Sequence, residues 1–60
     1  MKDVKYYYWY DVYKDTTIIK IIYDGACIFS LEFIGQMQPP AIKEYAKEAI
    51  ELMKEKGAIK

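Results

Sequence analysis

The chain divides into two parts with different patterns of apolar residues. Between residues 4 and 34, β-branched and aromatic residues recur without helical spacing, and this composition favours strands. Residues typical of turns interrupt the pattern at Lys14-Asp15 and at Asp24-Gly25. We therefore predict three strands, at about residues 4–13, 16–24 and 27–34.

After Pro39-Pro40 the pattern changes to that of a helix. The apolar positions have the spacing of one continuous helical stripe, and they are Ile42, Tyr45, Ala46, Ala49, Ile50 and Met53. Charged residues occupy the opposite side. Proline suits the first helical position, Lys54 and Lys56 suit the negative end of the helix dipole, and Gly57 suits the residue beyond the last turn. The pattern predicts a helix over residues 39–56.

This order of elements predicts an α+β fold of the βββα type. Residues 1–60 would form a single domain in which a three-stranded antiparallel meander is followed by one C-terminal helix, in two layers. A sheet of three strands is about 14 Å wide, and a helix about 10 Å in diameter covers only one of its faces. The other face requires a separate explanation.

The lengths of the two turns determine which residues share a face. A two-residue turn at Lys14-Asp15 would place Tyr8 opposite Ile21. For the second turn two alternatives remain open. A three-residue loop, Asp24–Ala26, would direct Cys27, Phe29 and Leu31 toward the helix. A two-residue turn would direct Ile28, Ser30 and Glu32 there, because a shift of one residue inverts every side chain. The first alternative is our working prediction, and it makes Cys27 a core residue.

In this register, the face away from the helix is largely apolar and aromatic. We predict an interface there, made of Tyr7, Trp9, Tyr13, Ile18, Lys20, Ile22 and Ile28. The patch of about 600 Å² would match or exceed the largest apolar patch expected on a soluble monomer. Two such patches would bury about 1,200 Å², the low end of a specific interface, so we predict a dimer formed through the sheet. The alternative is a monomer whose face is partly covered by its tail or by the loop before the helix.

Composition narrows how so short a chain can be stabilised. Sixty residues lie near the lower limit for independent folding, and small domains use disulfides, metals or association. Cys27 is the single cysteine and there is no histidine, so association is the route that remains. The single cysteine, the absence of an export signal and the lack of an apolar segment of about 20 residues favour a cytoplasmic protein without a membrane span.

The sequence contains no recognisable catalytic constellation. It has no histidine to act as a general base, no nucleophile paired with a base, no phosphate-binding glycine loop and no metal-loop spacing. We therefore expect no enzyme activity, no cofactor and no metal. Nine basic and nine acidic residues give no electrostatic footprint for nucleic acid, although the aromatic run Lys5–Tyr10 resembles a base-stacking platform in composition.

The expected function is therefore binding by contact. We predict a protein–protein interaction module that forms a homodimer or binds a larger protein through the sheet. The alternative is an inhibitor, an anti-defence protein or an antitoxin, that docks on a larger protein. Abundant Lys, Ile and Tyr without Arg are typical of AT-rich coding and favour a phage or mobile-element origin for such an inhibitor.

Overall fold

The computed structural model describes residues 3–59 and contains the predicted order of elements. The strands are β1 (Val4–Asp11), β2 (Thr16–Tyr23) and β3 (Ala26–Ile34), and the helix is α1 (Pro39–Glu55). The strands form one antiparallel sheet in the order β1-β2-β3. The βββα architecture is thus confirmed, while residues 1, 2 and 60 of the predicted domain lie outside the described residues.

The loop between β1 and β2 is longer than predicted. β1 ends at Asp11, whose carboxylate accepts hydrogen bonds from the N–H groups of Tyr13 (3.0 Å) and Lys14 (3.3 Å). These bonds turn the chain before Tyr13, so Tyr13 lies in the loop rather than on the sheet, where it was predicted. Tyr8 pairs with Ile19 instead of Ile21. Since this shift is two residues, every β1 side chain keeps its predicted face.

The second turn combines the two predicted alternatives. Asp24 and Gly25 both have positive φ, 53° and 79°, which is the conformation of a two-residue type I′ turn. Ile22 consequently pairs with Cys27. One residue later the register shifts, and Ile21 pairs with Phe29, which leaves Ile28 as the extra residue of a β-bulge.

The bulge corrects two predictions. Cys27 lies opposite Ile22 and is exposed, so it is not a core residue. Ile28 packs against the buried cluster, so it does not belong to the face away from the helix. The physical reason is the same for both residues. A bulge places two consecutive residues of one strand against one residue of its partner and interrupts the alternation of faces.

The core is a single layer between α1 and the central strand. Ile19 and Ile21 of β2 are 0% exposed, and Ile42, Ala46 and Ala49 of α1 are buried against them. The two alanines leave room for the helix to approach the sheet closely. Burial of each isoleucine side chain contributes about 1.5–3 kcal/mol. Larger side chains of β1 and β3 surround this cluster and are only partly buried.

Both irregular segments next to α1 lie on its side of the sheet. Thr17 is buried, and its hydroxyl donates to the Gly35 carbonyl at 2.6 Å and accepts from the Met37 N–H at 3.1 Å. These bonds hold the loop before the helix over the end of the core. After the helix, the Ala58 N–H donates to the Met53 carbonyl at 2.9 Å, and Ile59 is buried. Up to Ile59, neither the loop nor the tail therefore crosses to the opposite face.

Candidate functional site: the open face of the sheet

The side of the sheet away from α1, here called the open face, receives alternate residues of each strand. Pairing places three rows across it: Lys5–Ile22–Cys27, Tyr7–Lys20–Ser30 and Trp9–Ile18–Glu32. A fourth row, Asp11–Thr16–Ile34, ends the face beside the first loop. Each row contains one residue from every strand, with β2 in the middle.

Apolar and aromatic side chains dominate the open face. Tyr7 is 56% exposed, Trp9 is 44% exposed and Ile34 is 93% exposed, whereas Ile18 and Ile22 are half-buried between their neighbours. Together these five side chains present about 500 Å², within the range of the largest apolar patches on soluble monomers. The patch is smaller than predicted, because Tyr13 and Ile28 are not part of it.

The charges on this face are few and of mixed sign. Lys20 occupies the centre, between Tyr7 and Ser30, and is half-buried, so the alkyl part of its side chain adds to the apolar surface. Glu32 lies in the adjacent row beside Ile18. The carboxylate of Asp11 is engaged by two N–H groups of the loop. Lys20 and Glu32 are therefore the charges near the centre of the patch.

The open face also carries the Lys5 ammonium group, hydroxyl groups of Tyr7, Thr16 and Ser30, and one thiol. Cys27 is exposed, and its Sγ contacts the Phe29 carbonyl at 3.6 Å. Among residues 3–59, no three His, Cys, Asp or Glu side chains are close enough to hold a metal ion. The arrangement suits contact with another apolar surface, and the thiol is a convenient reporter of that contact.

Five of the seven predicted interface residues share the open face, and they are Tyr7, Trp9, Ile18, Lys20 and Ile22. Tyr13 is 100% exposed in the loop and Ile28 lies on the helix side. The predicted interface omitted Ile34 and Cys27. Ile34 was detectable as the last apolar residue of β3, whereas no local signal distinguishes the bulge that moves Cys27.

None of the helical structure within residues 3–59 is both long and apolar enough to span a bilayer. Comparison of the chain with protein-family models, with characterised proteins and with solved structures finds no match.

Proposed function

We propose that the protein is a small, non-enzymatic interaction module that self-associates through the open face. The observation that supports this is the position of five apolar and aromatic side chains on a face that the loop before α1 and the tail leave uncovered. A second copy of the chain supplies a surface of the same size and chemistry. A two-fold arrangement is the commonest way for identical chains to associate.

The small core gives such an association a thermodynamic reason. Among the described residues, the buried hydrophobic side chains are Ile19, Ile21, Ile42, Ala46, Ala49, Met53 and Ile59. Two of these are alanines, which bury little area. Domains of this size gain much of their stability from additional burial, and association provides it. Two open faces would bury about 1,000 Å², which is the lower limit for a specific interface. We therefore expect a dimer that dissociates on dilution.

The charges near the centre of the open face suit a two-fold interface. Such an interface brings one patch against a copy of itself, so the patch must be complementary to itself. Lys20 and Glu32 lie in adjacent rows with opposite charges. In a two-fold arrangement, Lys20 of one copy can meet Glu32 of the other on both sides of the axis. These pairs would set the orientation of the two sheets rather than supply most of the affinity.

Two neighbouring tyrosines provide a matched test. Tyr7 lies on the open face and is 56% exposed, while Tyr8 lies on the helix side and is 47% exposed. Tyr7→Glu places a carboxylate opposite Lys20 in the folded monomer and adds charge to the patch. We expect this variant to be a folded monomer at all concentrations. Wild type and Tyr8→Glu should show a mass that rises from 7.1 kDa toward twice that value with concentration, as measured by sedimentation or light scattering.

Two residues of the wild-type chain, Trp9 and Cys27, report on the same equilibrium between monomer and dimer. Trp9 is the single tryptophan, so quenching of its fluorescence by acrylamide should decrease as wild type is concentrated. The rate at which Cys27 reacts with a thiol reagent should decrease in parallel, and neither change should occur in Tyr7→Glu. A wild-type protein that stays at the monomer mass, with Trp9 and Cys27 equally accessible at every concentration, would contradict the proposal.

A further inference from the structure

We infer that the outer edge of β1, together with the groove between it and α1, binds an acidic extended segment of another protein as an additional strand. This surface is distinct from the open face, and its occupant belongs to a different class from a second copy of the chain. Three observations support the inference: the direction of the backbone groups of β1, the residues that line the groove, and the separation of charges around α1.

The backbone groups at the outer edge of β1 can be assigned from the pairing. The Asp24 N–H donates to the Asp3 carbonyl at 3.5 Å, so the odd-numbered residues of β1 direct their N–H and C=O groups toward β2. On the other side, the Gly35 N–H donates to the Asp15 carbonyl at 2.7 Å, which fits the same alternation in β2. The even-numbered residues of β1 therefore direct their N–H and C=O groups outward, at Tyr6, Tyr8 and Tyr10 among others.

A groove of about 240 Å³ runs beside this edge on the helix side. Its lining residues are Tyr6, Lys43, Lys47, Ile50, Glu51 and Lys54. Tyr6 and Ile50 are half-buried and provide apolar surface, and the Tyr6 ring stacks on the ring of Tyr8 with centroids 6.3 Å apart. The groove thus combines apolar surface with three ammonium groups and one carboxylate, next to a strand edge with outward backbone groups.

The charges of α1 are separated by flank. The groove next to β1 has three lysines and one glutamate, and a depression farther around the helix has four glutamates and one lysine; Lys47 and Glu51 line both. A second groove, on the flank next to β3, is lined by apolar residues including Tyr45 and Leu52 and by one charged residue, Glu48. The three lysines of α1 therefore lie on the flank beside β1, where they favour a negatively charged ligand.

The spacing of side chains along a strand added to this edge is compatible with the spacing of the lysines along α1. Residues on one side of a strand repeat about every 6.8 Å, and helix residues four apart rise about 6 Å. Two carboxylates on that side with one apolar residue between them are about 13.6 Å apart, and Lys43 and Lys54 of α1 are separated by a rise of about 16 Å. One carboxylate can therefore reach Lys43 and Lys47 and the other Lys54, while the apolar residue between them can contact Ile50. Addition of a strand to a sheet edge is a recurrent mode of peptide recognition, in which backbone bonds supply affinity and side chains supply specificity. A nucleic acid lacks a backbone with alternating N–H and C=O groups and could not continue the hydrogen-bonding pattern of the β1 edge.

The direct probe is a fluorescein-labelled peptide with threonine at odd positions and glutamate, isoleucine and glutamate at the even positions. This pattern reads the same in both chain directions, so it does not presuppose the orientation of the added strand. We expect saturable binding, measured by fluorescence anisotropy, that weakens as salt is added. Lys43→Glu combined with Lys47→Glu should weaken binding at least tenfold. Lys14→Glu combined with Lys56→Glu makes the same change in net charge away from the groove and should have little effect.

Two further peptides test the added strand itself. Replacement of both glutamates by lysine should abolish binding through charge repulsion. Methylation of every backbone nitrogen should abolish it by removing the N–H groups that a strand needs. The inference is overturned if the parent peptide does not bind, if the lysine or methylated peptide binds as well as the parent, or if the Lys43/Lys47 double variant binds normally. It is also overturned if an oligothymidine competes more strongly than the parent peptide and depends on the same lysines.

The monomeric variant separates this inference from the proposed function. Tyr7→Glu alters the open face and should bind the peptide with wild-type affinity. Tyr8→Glu places a carboxylate on the groove side of β1 and should weaken peptide binding while leaving self-association intact. Loss of peptide binding in Tyr7→Glu would assign the peptide to the open face and overturn the inference.

Discussion

The two faces of the sheet are built from the same residue types but have different surroundings. On β2, Ile19 and Ile21 are 0% exposed beneath the helix, whereas Ile18 and Ile22 on the open face are half-buried by neighbouring side chains alone. Four isoleucines within five residues thus have two different environments. The difference is made by the helix, which covers one face only and buries Ile42, Ala46 and Ala49 there. An apolar strand residue therefore does not identify the core until the covering layer is known.

The polar groups differ between the faces in the same way. The covered face ends at Thr17, which is buried and hydrogen-bonded in both directions. The open face has Lys20, a charged and half-buried residue, near its centre. Buried polar groups need partners, whereas a surface that meets a second protein can keep charges that find partners there. If the open face binds a second copy of the chain as proposed, Lys20 is such a charge.

The largest expected difference in stability between the two faces comes from shortening one isoleucine on each face. Ile21→Ala leaves a cavity beneath the helix and should reduce the free energy of unfolding by about 2–5 kcal/mol, a large part of the stability of so small a domain. Ile34→Ala removes side-chain atoms from a residue that is 93% exposed, and the loss should stay within about 0.5 kcal/mol. Urea denaturation at low protein concentration measures both. Similar losses in the two variants would mean that the faces are not energetically distinct.

Parts of the fold that depend on local interactions were predictable from the sequence, whereas parts that depend on interactions between distant residues were not. The helix was predictable because its signals are local: Pro39-Pro40 follows an extended Gln38, and Gly57 lies just beyond the end. The register between β1 and β2 was not predictable. The Asp11 carboxylate accepts hydrogen bonds from two N–H groups of the loop and lengthens it, and sequence alone does not assign these bonds. The side chains of β1 kept their predicted faces only because the register shifted by two residues rather than by one.

The bulge at Ile28 shows where sequence reasoning about the site ends. The residues around it fit both a two-residue turn and a three-residue loop. The protein forms the two-residue turn, but from Phe29 onward β3 has the register that the three-residue loop predicts. Packing of Ile28 against the core is a long-range interaction that no local pattern reports. The lysine flank was likewise predicted only as part of a charged side, because its relation to the β1 edge depends on where α1 lies over the sheet.

A second, smaller effect should follow from the hydroxyl that closes the covered face. Thr17→Val keeps the shape of the side chain but leaves the Gly35 carbonyl and the Met37 N–H without the Thr17 hydroxyl. We expect a loss of about 1–3 kcal/mol in the free energy of unfolding, the usual range for unsatisfied buried polar groups. Thr17→Ser keeps the hydroxyl and should recover a substantial part of the loss. Equal losses in both variants would show that the methyl group, rather than the hydrogen bonds, is what the covered face requires.

The smallest expected effect concerns Tyr10, whose hydroxyl donates to the Asp15 carboxylate at the end of the covered face. This hydrogen bond, followed by burial and by the negative charges of Asp15 and Asp11, raises the pKa of Tyr10 above its ordinary value. Because the pKa is higher in the folded chain, the contribution to stability is present below about pH 10 and is lost as the pH rises through the folded value. Tyr10→Phe should therefore flatten the decline of the urea midpoint in this alkaline range. Tyr7→Phe, which removes a hydroxyl from the open face instead, should leave that decline as in wild type. If both variants flatten it equally, the alkaline response does not arise from the Tyr10–Asp15 hydrogen bond, and the covered face does not differ from the open face in this respect.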